Sequence, residues 1–169
     1  MKYAFIFLIG LFANATVVAQ DTGFVNRADK VLLETGYSFL SGLSGGGSGF
    51  NLIVSDGATL TTIGIDGGYF FTDNLAVRGR FGILSAGIDG ESSSVTNLAL
   101  GAKYYLIGKI PFSADAGILT GGGTIATFNL SGGFAIRLAD NIALEPNIGI
   151  AHVDGSNAFR FAVNFAMFL

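Results

Sequence analysis

From Leu75 to Ala86 the chain reads LAVRGRFGILSA, with Leu75, Val77, Gly79, Phe81 and Ile83 on odd positions and Arg78 and Arg80 on even ones. Successive side chains of an extended strand point to opposite faces, so this segment has one apolar and one polar face. The last segment does the same. Phe159, Phe161, Val163, Phe165, Met167 and Leu169 share one face, with Arg160, Ala162, Asn164 and Ala166 on the other and Phe168 as a bulky exception.

Six further segments follow this rule and bring the predicted strands to eight. The first, near Val31 to Gly42, sets Val31, Leu33, Tyr37 and Phe39 against Glu34, Gly36 and Ser38; Leu32 and Leu40 break the pattern. The second, near Ala58 to Phe71, sets Ile63, Ile65, Tyr69 and Phe71 against Gly64, Asp66 and Gly68. In the fourth, near Val95 to Leu106, Leu98, Leu100, Ala102 and Tyr104 oppose Asn97, Gly101 and Lys103. The fifth, Pro111 to Thr120, places Phe112, Ala114, Ala116 and Ile118 against Ser113, Asp115 and Gly117. In the sixth, near Ile125 to Leu138, Phe128, Leu130, Phe134, Ile136 and Leu138 oppose Asn129, Ser131, Gly133 and Arg137. The seventh, Ile142 to His152, sets Leu144, Pro146, Ile148 and Ile150 against Glu145, Asn147 and Gly149.

The connections divide into two predicted kinds. Thr72-Asp73-Asn74, Gly108-Lys109 and Ala139-Asp140-Asn141 have the chemistry of tight hairpin turns. SGLSGGGSG, GIDGESSS, TGGGT and DGSN read as looser links between them. Such alternation predicts an up-and-down barrel with its tight turns at one end. The stretches TDNLAVRGRFGI and ADNIALEPNIGI are then the same turn and outgoing strand met twice, without a duplicated active site.

A period of two does not say whether the apolar face points into a core or out into lipid; composition does. Only 12% of the residues are charged, against about 25% in a soluble domain. Nearly every strand charge lies on the non-apolar face: Glu34, Asp66, Arg78, Arg80, Lys103, Asp115, Arg137, Glu145 and Arg160. That face is otherwise rich in Gly, Ala, Ser and Asn, as a narrow interior of interleaved small and long side chains requires. The expected fold class is therefore all-β, an eight-stranded antiparallel up-and-down transmembrane β-barrel, apolar outside and charged within. Residues 1–19 read as a signal peptide, with Lys2, the apolar run AFIFLIGLFANA and the small-residue site VVA, leaving 20–169 as one barrel domain. Cysteine is absent, which excludes disulfides and thiolate metal sites, and no basic block suggests nucleic acid.

The signal peptide, the eight amphipathic strands, the turn GYFFTDNLAV and the closing FRFAVNFAMFL together resemble the small outer-membrane β-barrel family, relatives of the OmpA barrel domain. That resemblance implies a bacterial outer-membrane location, with lipid and the barrel assembly machinery as partners, a monomer, and tight turns on the periplasmic side. It makes Phe161, Phe165, Met167 and Leu169 the C-terminal assembly signal, and implies that the chain ends with the barrel, without a peptidoglycan-binding domain.

The interior charges are the leading functional candidates, as a salt-bridged plug or as an ion path. The narrow interior of an eight-stranded barrel favours the plug. His152, the single histidine, lies near Asp154 and Ser156, and a rim hydrolase would need these to meet as base, orienting acid and nucleophile. Gly45 to Gly47 and Gly121 to Gly123 lead into no helix and so are not phosphate loops; Asn129-Leu130-Ser131 matches a glycosylation triplet inside a strand. No cofactor and no enzymatic activity are expected. The expected role is structural, through membrane integrity or surface interaction by short loops. A small pore, a lipid-modifying hydrolase at the rim, and a secreted soluble barrel with reversed faces are the alternatives.

Overall fold

The computed structural model describes residues 28–38, 49–55, 58–88 and 91–169. The segment read as a signal peptide, together with Phe39, Leu40 and the glycine-rich run from Ser41 to Ser48, lies outside them. Ten strand segments follow in order: β1 (Val31–Ser38), β2 (Gly49–Ser55), β3 (Ala58–Phe70), β4 (Leu75–Ile88), β5 (Glu91–Leu106), β6 (Ile110–Thr120), β7 (Thr124–Gly133), β8 (Ile136–Ala139), β9 (Ile142–Val153) and β10 (Ser156–Phe168). They make eight antiparallel staves, because β1 with β2 and β7 with β8 are each one stave in two lengths. Closure comes from β1, which pairs with β10 on one side and β3 on the other.

The first stave holds a feature that the period of two did not reveal. Val31 to Glu34 pair with Tyr69 to Asp66, and Gly49 to Ser55 continue alongside β3 from Gly64 to Ala58. A strand, β2, therefore stands in part of the stretch where a link between the first two strands was expected. At the handover Gly49 has φ +119°, and a Cβ there would lie 1.9 Å from the Gly36 carbonyl oxygen. Only glycine fits.

Among the described residues, the links expected to be loose at TGGGT and DGSN are also short. Two residues separate Ser55 from Ala58 and Ile88 from Glu91, and three separate Thr120 from Thr124. Val153 and Ser156 are joined through Asp154 (φ 48°) and Gly155 (φ 76°), two successive left-handed residues as in a type I′ hairpin. The opposite end uses the same geometry at Ile107 (φ 48°) and Gly108 (φ 71°), where the Lys109 amide donates to the Leu106 carbonyl at 3.1 Å. Among the described residues, each end of the barrel thus carries a turn with two successive left-handed residues.

Register fixes the tilt. Hydrogen-bonded neighbours run from Glu34 through Asp66, Arg80, Ala99, Gly117, Thr127 and Val153 to Ser156, ten residues from Ala166, which Glu34 itself faces on β10. A stagger of that size obliges the strands to tilt, by about 35–45° in such barrels, so charges distant along the chain share one level of the lumen. Apolar side chains point outward, from Ile63 and Ile65 on β3 to Phe159, which is 79% exposed.

Ile107 is β-branched in a left-handed conformation and exposed, so Ile107→Asn should raise stability by about 1 kcal/mol. Gly155→Ala should lower it by a similar amount, about 1 kcal/mol, since a Cβ there meets nothing within 4 Å and the loss is conformational. Urea unfolding of the refolded barrel measures both.

Candidate functional site: the charged lumen

At the end of the barrel that holds Val31 and Leu169, the lumen is sealed by apolar side chains. Leu32, Phe70, Tyr105 and Phe168 are buried there with Ala76, Ala135, Ala143 and Ala166. The Phe70 ring lies 5.9 Å from Tyr105 and 5.8 Å from Phe168. Leu32 and Phe168 broke the alternation in sequence, and the reason is now physical. They occupy inward positions at a level where the interior is apolar.

Tyr105 joins this layer to the charges beyond it: its hydroxyl donates to Glu145 Oε1 at 2.7 Å, and Lys103 Nζ sits 5.1 Å from its ring centre. Lys103 on β5, 2% exposed, bridges Glu34 on β1 and Glu145 on β9, the two strands that flank β10. Arg78 is the centre of the lattice. Its Nη1 donates to Glu34 Oε2 at 2.8 Å, its Nε to Asp115 Oδ1 at 2.8 Å and its Nη2 to Asp115 Oδ2 at 2.5 Å. Arg80 grips Asp66 with Nε and Nη2 at 2.8 and 2.7 Å, a bidentate fork. Asp66 also lies 3.6 Å from Arg78, and Asp115 lies 3.8 Å from Arg80. The lattice ties together β1, β3, β4, β5, β6 and β9.

Eight of the nine charges singled out in sequence are buried in the lumen: Glu34, Asp66, Arg78, Arg80, Lys103, Asp115, Glu145 and Arg160. The ninth, Arg137, is a correction. It is 37% exposed and pairs with Asp140 in the adjoining turn. It faces the buried Ala143 across β9, but so near the strand end that its long side chain emerges at the rim beside the apolar layer. Tyr105 was missed because tyrosine counts as apolar in a two-letter pattern. Its inward parity, next to Lys103 by a step of two, was the available signal.

The other candidates stay apart. His152 lies on the outward face of β9, where Nδ1 shares a hydrogen bond with Asn157 Oδ1 at 2.8 Å. Ser156 pairs with Val153 on the opposite parity, and Asp154 sits in the turn, so no hydrolase triad assembles. Phe161, Phe165, Met167 and Leu169 lie along one face of the closing strand, with Phe165, Met167 and Leu169 exposed. A groove of about 610 Å³ on the outer surface, among Ala102, Tyr104, Phe112, Leu130, Ile148 and Phe159, carries no charge. Among the described residues no group of acidic or histidine side chains could hold a metal ion.

This arrangement inverts a soluble protein, with exposed aliphatics around buried ion pairs, and so excludes the soluble barrel with reversed faces. The N-terminal β-barrel domain of Pseudomonas aeruginosa OprF superposes on it with a TM-score of 0.51, at 12% identity, over 84% of this chain and 98% of that one. The Yersinia pestis outer membrane protein Ail does so with a TM-score of 0.52, at 11% identity, over 83% and 99%. The chain has the fold of the small outer-membrane β-barrels. At such identities the likeness is one of fold. No family model matches the sequence, and no curated protein does.

Arg78 holds two carboxylates directly and shields a third, so Arg78→Ala should destabilise the barrel by about 3–5 kcal/mol, the usual cost of stranding buried charge. Arg137→Ala should leave urea stability almost unchanged, because its ion pair is at the surface. Equal effects of the two substitutions would contradict the partition between lumen and rim.

Proposed function

We propose that this protein is a monomeric outer-membrane barrel, exported through a cleaved signal peptide, which serves as a sealed structural element of the membrane. The observation that carries the reading is the unbroken stack of apolar layer and ion-pair lattice across the lumen. An ion entering from the end that holds Leu169 would meet Leu32, Phe70, Tyr105 and Phe168, and beyond them a lattice in which each carboxylate is engaged. A conducting path requires displacement of those groups, so the small pore is disfavoured. The scattered positions of His152, Ser156 and Asp154 weigh against the rim hydrolase.

Between the two roles of membrane integrity and surface interaction, the lengths of the described turns favour the first. Asp154-Gly155 and Gly121 to Gly123 offer few side chains to a partner. The tight turns beside Leu169 would face the periplasm, and the outward face of β10, with Phe165 and Met167, would be read by the barrel assembly machinery.

The membrane fraction should yield a band that migrates differently before and after boiling in SDS, and planar bilayers containing the protein should show no large, stable conductance steps. Regular steps from the wild-type protein would replace the sealed barrel with a pore. A soluble protein whose mobility does not change on heating would remove it from the membrane altogether.

A further inference from the structure

His152 and Asn157 face each other across β9 and β10, the last outward pair before the Asp154-Gly155 turn. Both are exposed, and His152 Nδ1 lies 2.8 Å from Asn157 Oδ1. A carbonyl oxygen only accepts, so Nδ1 carries the proton, which leaves Nε2 as an acceptor and Asn157 Nδ2 as a donor. Phe128 stands beside His152 on β7, and Leu130, Ile150 and Phe159 form the next outward row. Together these side chains wall a groove of about 510 Å³ with the polar pair at its end. Leu130, Ile150 and Phe159 also line the uncharged groove of about 610 Å³, which continues it toward Ile148. From His152 to Ile148 the strand advances about 13 Å. A long apolar cleft below a polar pair has the shape of an amphiphile.

The pair sits where the outer surface changes character. On the outward face Ile63 gives way to Thr61, Ile83 to Ser85, Leu98 to Thr96 and Ile118 to Thr120, as Ile150 gives way to His152 and Phe159 to Asn157. This is the boundary of the apolar band, where acyl chains end and headgroups begin. None of these boundary residues is a lysine, an arginine or an acid. Every Lys and Arg from Lys30 onward lies either in the lumen or, as Lys30, Lys109 and Arg137, at the end that holds Leu169. The Asp154 carboxylate, exposed in the turn that joins β9 to β10, is the charge nearest to the pair along the chain. A lipid phosphate here meets that carboxylate and no lysine or arginine. Sugar hydroxyls both donate and accept, and so match Nε2 and Nδ2 together.

We infer that the groove seats one acyl chain of a membrane lipid with an uncharged sugar headgroup, whose hydroxyls bond His152 Nε2 and Asn157 Nδ2. The inference rests on the membrane-barrel reading above and adds to it a resident lipid, in the leaflet away from Leu169. Such a lipid fastens the barrel to that leaflet.

The test uses the protein refolded in phosphocholine micelles, with insertion checked by its mobility shift on heating in SDS. Equal amounts of monoglucosyl diacylglycerol and phosphatidylglycerol with identical chains are added, and native mass spectrometry counts the lipid retained. The wild type should retain one glucolipid in preference to phosphatidylglycerol. His152→Leu and Asn157→Leu should each weaken that retention about fivefold, the loss of one hydrogen bond, and Ile150→Trp should abolish it by filling the groove. Equal retention of the two lipids, retention of neither, or a preference that survives all three substitutions would overturn the site. One further measurement needs no variant. A glucolipid with a photoreactive diazirine in its chain should label Ile150 or Phe159 in the wild type, and labelling spread evenly around the barrel would refute the groove. A wild type without the mobility shift would overturn the barrel reading and the site together, so the two failures are told apart.

Discussion

Everything inside this barrel depends on charge neutralisation across a bore only a few side chains wide. Glu34, Asp66, Asp115 and Glu145 have been taken out of water, and each is held by a base or a hydroxyl from another strand. An isolated buried carboxylate is prohibitively costly, whereas one in a saturated lattice is close to neutral in net stability. The lattice therefore adds less to stability than to specificity. A register slip of one residue would turn Arg78, Asp66 and Lys103 outward into the apolar face, a penalty that keeps one pairing of strands above all others.

The apolar layer makes that lattice possible. Leu32, Phe70, Tyr105 and Phe168 close one end and exclude water from the Lys103 and Glu145 level, and the Tyr105 hydroxyl supplies the last hydrogen bond. Phe168 pairs with Leu32 in the strand contact that closes the barrel, so sealing the lumen and closing the sheet are one event. Closure through β1 also pairs the facing edges of β10 and β3 along that stave, which a hydrocarbon environment demands.

The sequence was most legible where a rule has a short period. Leu75 to Ile83 and Phe159 to Leu169 state their two faces directly, and the scarcity of charge decides which face is outside. It was least legible where the outcome depends on strand ends. Arg137 has the inward parity of Arg78, yet its side chain leaves at the rim because it lies at the last level of the lumen. The continuation of β1 by β2 beside β3 went unread because it is a matter of pairing, which composition does not encode. Likewise DGSN contains both a two-residue turn and the start of a strand, and local propensity does not divide them.

By itself the sequence determined the fold class, the eight staves and the inward face of their charges, because side-chain alternation is a local property of extended backbone and charge avoids lipid. Only the tertiary structure decided who pairs with whom. The ten-residue stagger brings Glu34 to Arg78 and Lys103, and Arg78 to Asp115, across 44, 69 and 37 positions of chain. Those partnerships depend on strand tilt and closure, which arise from the whole sheet and from no single segment.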